Sequence, residues 1–209
     1  MSDICTELHR LVHGGRRFSY PFNPLGIPKN GIYVLFEKGE VGHGGDRIVR
    51  MGTHTGEGQL PSRLQQHFSL SNKDRSIFRK QIGRCLLIGD PYANVWEIDF
   101  TTRQAKENSS HLRDIKKEQV LEDKITAHLQ ESQSFVVLDV PDKSLRLTLE
   151  SRLISTVSRC INCSPSADWL GLQSPILKIC QSGLWQVNEL YKEPLQPGEL
   201  LQIAEALVV

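Results

Sequence analysis

The chain has 209 residues, a length that fits one domain, or one domain with a large elaboration. Hydrophobic residues make up 39% of it and charged residues 23%, so a folded core is expected rather than disorder. Twenty-five basic and 24 acidic residues give a formal net charge of +1, which argues against a dedicated polybasic binder but leaves local basic clusters open.

The sequence contains no apolar run that approaches the length of a membrane span, and its N-terminus lacks a basic region followed by an apolar one. Its five cysteines, an odd number scattered along the chain, fit reduced thiols. We therefore expect a cytoplasmic protein that does not bind a membrane.

Apolar periodicity predicts the elements in chain order. Residues 3–13 have helical spacing, and two short apolar segments at 31–36 and 47–52 predict a hairpin with a long Gly-rich connection. The further predicted elements are a helix that begins near Pro61, a helix through about residue 87, a strand over 94–100, a charged helix over about 111–131, an apolar strand or extended segment over 135–140, and a helix over 145–160. This order predicts an α/β (α+β) fold, in which a small, mainly antiparallel three-stranded central sheet is flanked by helices and carries helical elaborations.

Several residues stand in an order that resembles the GIY-YIG nuclease family. Residues 31–33 read Gly-Ile-Tyr, and residues 50–52 read Arg-Met-Gly, where the family has Tyr-Ile-Gly. The other matching residues are Arg63, His67 four residues later, Glu150 within Leu-Glu-Ser-Arg-Leu-Ile, and Asn162. The resemblance covers roughly residues 31–162. It implies a single domain over 1–209, with a catalytic core at about 28–163, a helical insertion at about 70–145 and a C-terminal elaboration over 164–209.

The resemblance implies a Mg²⁺-dependent endonuclease that hydrolyses DNA phosphodiesters, with Mn²⁺ as a substitute metal. The roles it assigns are general base for Tyr33, phosphate stabilisation for Arg63, assistance for His67, metal binding for Glu150, and orientation of a water or the phosphate for Asn162. Arg50 departs from the family pattern, and as a cation it is expected to add positive charge to the site. The residue types fit this chemistry independently. One carboxylate can hold a Mg²⁺ that keeps its own waters, an arginine has the planar fork for a phosphate, and a phenol that titrates near pH 10 needs nearby positive charge to act as a base.

Double-stranded DNA is the expected partner. Residues 73–84 hold five basic residues against one acidic, and we expect Arg75, Arg79, Lys80 and Arg84 to contact phosphates, although a solvated amphipathic helix face has the same pattern. Restriction or another DNA-defence role fits a stand-alone chain, and cutting both strands with one site per chain would call for a homodimer.

Three alternatives stay open. Repair or recombination nicking would use the same chemistry. A catalytically inactive DNA-binding module would keep the fold, and the altered residue at position 50 favours it. Cys160 and Cys163 have the spacing of half a zinc site, but no second Cys/His pair at ligand spacing is evident, so free thiols are expected rather than a zinc-stabilised structural protein.

Overall fold

The computed structural model describes residues 2–209. Its strands are β1 (Phe18–Ser19), β2 (Gly31–Gly42), β3 (Gly45–Gly52) and β4 (Gln133–Asp139). Its helices are α1 (Ser2–His13), α2 (Leu60–Phe68), α3 (Ile77–Leu86), α4 (Ala93–Trp96), α5 (Arg103–Ser109), α6 (Ile115–Ser132), α7 (Lys143–Ser158), α8 (Leu177–Ser182) and α9 (Pro197–Ala206). Within residues 2–209, none of these helices is both long enough and apolar enough to cross a membrane.

The strands form one antiparallel sheet in the order β1-β4-β2-β3. The expected α/β fold class is therefore confirmed, with four strands rather than three because the short β1 pairs with β4 at the edge. The strand expected over 94–100 is wrong. Trp96 and Phe100 are both buried, and their separation of four residues suits a helical turn as well as a strand. The strand that pairs with β2 on its other side is instead β4.

The β2–β3 hairpin is longer and tighter than the sequence suggested. Most of the Gly-rich stretch is paired strand, since Val41 pairs with Asp46 and Gly42 with Gly45. Only His43 and Gly44 remain at the tip, with φ of 53° and 81°. Positive φ at both central residues is the geometry of a two-residue type I′ turn, whose twist matches that of the strands. The expected long connection is therefore a tight turn.

Helices cover both faces of the sheet. Side chains alternate along β2, so Tyr33 and Leu35 face one core while Ile32, Val34 and Phe36 face the other. The first core is completed by residues of α2, α3 and α6, and the second by residues of α1, α7 and α9. This layering brings α2 to one side of the hairpin and α7 to the other.

Candidate active site

Two glycines allow close approaches at the beginning of the hairpin. A Cβ atom at Gly31 would lie 2.2 Å from the carbonyl oxygen of Leu138 on the neighbouring strand. A Cβ atom at Gly52 would lie 2.3 Å from the hydroxyl oxygen of Tyr33, its direct partner in the β2–β3 register. Any side chain at position 52 would therefore displace the phenol. The two glycines set the position of Tyr33 relative to both neighbouring strands.

The Tyr33 hydroxyl lies between an imidazole and a guanidinium. Its oxygen is 2.9 Å from Nε2 of His67, and the Arg50 Nε–H donates to it at 3.4 Å. The other ring nitrogen of His67, Nδ1, is 2.7 Å from the hydroxyl of Ser76, which also caps α3 by accepting from the backbone N–H of Arg79. Helices α2 and α3 thereby hold the imidazole in line with the phenol.

This part of the site is closed to solvent. Tyr33 is 1% exposed, His67 is fully buried and Arg50 is 7% exposed. Arg50 also donates to the backbone carbonyl of Trp185, so the chain segment at Trp185 covers the guanidinium. Burial, followed by the positive charges of Arg63 and Arg50, holds the pKa of His67 well below its usual range. The imidazole is therefore neutral at physiological pH, and it contacts the Tyr33 hydroxyl as a hydrogen-bonding partner that carries no charge.

Glu150 on α7 reaches the end of β3. The backbone N–H of Thr53 donates to its Oε1 at 3.0 Å, and the Thr53 hydroxyl donates to the carbonyl of Gly31 at 2.7 Å. Burial raises the pKa of Glu150, although the charges of Arg50 and Arg63 and the Thr53 N–H act in the opposite direction. The same two arginines thus act on both Glu150 and His67, which means that the charged groups converge.

A polar cleft of about 420 Å³ opens beside these residues. Thr53, Arg63 and Arg75 line it, and Thr53 connects it to Glu150. Arg63 donates from Nη1 to the side chain of Gln66 at 3.1 Å and to the backbone carbonyl of Arg75 at 2.9 Å. These bonds hold a half-buried guanidinium at the wall of a cleft that solvent can enter. Arg63 is in this respect unlike His67, which lies one turn later on α2 and points into the core.

The expected phosphate-contacting residues have different environments. Arg75 is exposed at the cleft. Lys80 and Arg84 lie on another side of α3, where both approach Glu97, with N···O distances of 3.7 Å and 2.5 Å respectively. Their positive charge is partly neutralised there.

The expectation for Arg79 is wrong, because its side chain is fully buried. Its Nη2 lies 2.6 Å from the carboxylate of Glu122 on α6, and its Nη1 donates at 2.9 Å to the carbonyl of His67 at the end of α2. No part of this guanidinium remains for a phosphate. It joins α3 to α6 and α2 and so supports the backbone that carries His67.

Asn162 does not join the site. It is exposed in a short 3₁₀ turn, two residues after Cys160, whose sulfur lies 3.3 Å from Nε2 of His43 at the hairpin tip. Ten residues of strand separate His43 from Tyr33, a span of roughly 30 Å at about 3.3 Å per residue. The expectation that Asn162 orients a water or the phosphate is therefore wrong for this structure.

Sequence reasoning missed three groups that contact the site residues. Ser76 bonds to His67, Thr53 bonds to Glu150, and the carbonyl of Trp185 accepts from Arg50. A serine just before an apolar helix was a readable capping signal. A backbone N–H and a backbone carbonyl leave no signal in the residue type.

The model of the GIY-YIG domain family matches residues 1–208, nearly the whole chain. No curated protein and no solved structure matches the chain.

Proposed function

Because the chain belongs to the GIY-YIG nuclease family, we propose that it is a Mg²⁺-dependent endonuclease that hydrolyses phosphodiester bonds of double-stranded DNA. One observation carries the proposal. Tyr33 is hydrogen-bonded to a neutral imidazole and a guanidinium, next to a cleft that is lined by Arg63 and that Thr53 connects to Glu150. These are the groups that phosphodiester hydrolysis requires: a base, a phosphate-binding cation and a carboxylate.

Glu150 fits the role of a metal ligand. Its carboxylate is half-buried and has one short bond, from the Thr53 N–H, while burial raises its pKa. A divalent cation bound to Glu150 would offset the cost of burying a charged carboxylate, because its positive charge favours the ionised form. Mg²⁺ is commonly bound through one or two carboxylates and keeps several waters, so one Glu is a sufficient protein contribution. When bound, Mg²⁺ or Mn²⁺ would neutralise charge on the phosphate.

The protein groups have complementary tasks in the proposed reaction. Arg63 binds the scissile phosphate through its planar fork at the cleft wall. Nε2 of His67 positions the Tyr33 oxygen, and its neutral ring is held through Nδ1 by Ser76. The Arg50 guanidinium stabilises negative charge on the Tyr33 oxygen, which takes a proton from the attacking water, while a solvent water protonates the departing oxygen.

The residue at position 50 supports a role in charge stabilisation. The family has a tyrosine there, whereas this chain has an arginine whose Nε–H faces the Tyr33 oxygen. An arginine cannot act as a base at ordinary pH, but its positive charge attracts negative charge that develops on a nearby oxygen during the reaction. We therefore assign a single base, Tyr33, rather than a pair of tyrosines.

The rival function is a catalytically inactive DNA-binding module with the same fold. The burial of Tyr33, which is 1% exposed, favours it, because the hydroxyl meets a water only if DNA binding opens this side of the cleft. Within the enzymatic proposal we assign a cytoplasmic restriction or defence role, in keeping with five free cysteines. Nicking in repair or recombination is the alternative role.

A plasmid assay tests the proposal. Supercoiled DNA is incubated with the wild-type chain, with Glu150→Ala and with a matched control, Glu131→Ala, which changes an exposed glutamate on α6. We expect Mg²⁺-dependent nicking by the wild type and the control, abolished by chelation and by Glu150→Ala. DNA binding by the wild type without nicking at any salt concentration would establish the inactive module. Cleavage that survives Glu150→Ala would refute the metal assignment.

The same gels address assembly. Linear product that appears directly, with a rate that rises more steeply than the protein concentration, is expected from a homodimer that cuts both strands. Open circles alone, formed in proportion to the protein concentration, would indicate a nicking monomer.

A further inference from the structure

Four side chains that the catalytic proposal does not use converge at the hairpin tip. They are Cys5 on α1, His43 in the β2–β3 turn, and Cys160 and Cys163 just after α7, and one ligand atom from each lies within 4.8 Å of all the others. The sulfurs of Cys5 and Cys163 are 3.5 Å apart, and Nε2 of His43 is 3.3 Å from the sulfur of Cys160. In the sequence, Cys160 and Cys163 have no second pair of ligands nearby. In the fold, Cys5 and His43 supply that pair from distant parts of the chain.

We propose that these four residues bind one Zn²⁺ ion as a structural Cys₃His site. A tetrahedral zinc ion with Zn–S bonds of about 2.3 Å and Zn–N bonds of about 2.0–2.1 Å requires ligand atoms about 3.5–3.8 Å apart. The distances between these atoms bracket that range, so small side-chain rotations bring all four onto one ion. Soft thiolates select zinc over the hard cation assigned to Glu150.

A disulfide does not account for the cluster. The 3.5 Å between the sulfurs of Cys5 and Cys163 is well beyond a bond length of about 2.05 Å, and all five cysteines are free. Cys5 and Cys163 are buried, whereas Cys160 and His43 are half-buried. Four protein ligands fill a tetrahedral shell and leave no position for a substrate, which is the arrangement of a structural site.

The histidine is held as a ligand would be. Nδ1 of His43 lies 2.9 Å from the hydroxyl of Thr6 on α1, which leaves Nε2 facing the sulfurs. A hydrogen bond to the second ring nitrogen is the usual way in which proteins orient a metal-binding imidazole. His43 also has a φ of 53°, at a turn position where Asn or Gly is usual. The strained backbone is explained if the imidazole is needed at this point.

His9 lies nearby without belonging to the ligand set. Its Nδ1 is 2.9 Å from the backbone carbonyl of Cys5, to which it donates, so its Nε2 is an acceptor and lies 3.4 Å from the backbone N–H of Ile48. Its ring nitrogens are 3.7 and 3.9 Å from the sulfurs of Cys5 and Cys163. We assign it as a neighbour that packs against the site.

The proposed ion would join three elements that are distant in sequence. It would fasten α1 and the hairpin tip to the end of α7, the helix that carries Glu150 at its middle. Since such a site is absent from the unfolded chain, zinc binding would contribute directly to folding stability.

Metal analysis of the full chain tests the proposal. The protein is purified under reducing conditions without chelators, and zinc is measured for the wild type, for Cys160→Ser and for the matched control Cys180→Ser, which also changes a half-buried free cysteine. We expect one zinc per chain in the wild type and the control, and at least about tenfold weaker zinc binding in Cys160→Ser. X-ray absorption at the zinc edge should give three sulfur neighbours and one nitrogen neighbour.

A second measurement keeps the test decisive if Cys160→Ser does not fold. Wild-type protein loaded with Co²⁺ should show the thiolate-to-metal charge-transfer absorption of a tetrahedral site, and Zn²⁺ should abolish it. Three results would overturn the proposal: a folded wild type that binds no zinc, zinc affinity equal in Cys160→Ser and the wild type, or a disulfide between these cysteines in protein alkylated at lysis.

Discussion

The β2–β3 hairpin carries two groups of polar residues, one at its beginning and one at its tip. At the beginning, Tyr33 and its partners His67 and Arg50 adjoin an open cleft with the guanidinium of Arg63 at its wall. At the tip, three thiols and His43 face one another. Hard oxygen and guanidinium groups around an opening suit a phosphate that enters and leaves, whereas thiols that converge on one point suit an ion that stays. The beginning of the hairpin is therefore suited to catalysis, and its tip is suited to stabilising the fold.

The largest effect is expected from Tyr33→Phe, which removes only the hydroxyl at the beginning of the hairpin. We expect the rate of plasmid nicking to fall by about 10²–10⁴-fold, since a positioned general base contributes that much. The measurement is the initial nicking rate with Mg²⁺, and the control is Tyr20→Phe, a tyrosine that is 39% exposed. An unchanged rate in Tyr33→Phe would show that Tyr33 is not the base. The residues at the beginning of the hairpin would then have a structural role, like those at its tip.

The next largest effect concerns the support of His67. We expect Arg79→Met to lower the free energy of unfolding by about 3–5 kcal/mol, because it leaves the buried Glu122 carboxylate without its cation. Urea denaturation measures this. Arg103→Met is the control, since Arg103 pairs with Glu107 at the surface and should contribute less than about 1 kcal/mol. Folded Arg79→Met protein should keep its zinc, because Arg79 supports the opposite end of the hairpin. Equal losses in the two variants would contradict the structural role of Arg79.

A smaller effect is expected at the tip from Thr6→Val, which removes the hydroxyl that faces Nδ1 of His43. We expect zinc affinity to fall about 10–100-fold, as is usual when the partner of a ligating histidine is lost. Competition with a chromophoric chelator measures the affinity. Thr148→Val, on the exposed side of α7, is the matched control. Identical affinities would mean that the turn alone orients His43.

The smallest effect is a gain in stability from Glu150→Gln. Burial raises the pKa of Glu150, so the folded chain holds this proton more tightly than the unfolded chain. Stability is therefore lost as the pH rises from the ordinary glutamate range through the raised pKa, and a neutral amide avoids that loss. At pH 7 we expect the Tm of Glu150→Gln to be a few degrees above that of the wild type, which corresponds to about 1 kcal/mol in the free energy of unfolding. This difference should shrink toward about pH 4.

Thermal unfolding at both pH values provides the check, with Mg²⁺ expected to raise the Tm of the wild type alone. A lower Tm for Glu150→Gln at pH 7 would show that Arg50 and Arg63 already stabilise the charged carboxylate without a metal.

Local spacing predicted which residues are neighbours, but it did not predict which way they face. Arg63 and His67 lie one turn apart on α2 as expected, yet the first faces the cleft and the second the core. Arg75 and Arg79 are also four residues apart, and only Arg79 is buried, because α6 packs on α3 and supplies Glu122. A helical period relates side chains to one another, and packing partners from distant sequence decide which of them meet solvent.

The sequence by itself determined the fold class, the two close-packed motif glycines and the order of the residues that meet near Tyr33. These follow from short-range rules, because backbone approach and periodicity depend on residues close together in the chain. Only the tertiary structure decided that Asn162 lies far from Tyr33, and that Cys5 and His43 complete the pair Cys160 and Cys163. Such meetings depend on how helices and strands pack across the whole chain, and no local spacing encodes them.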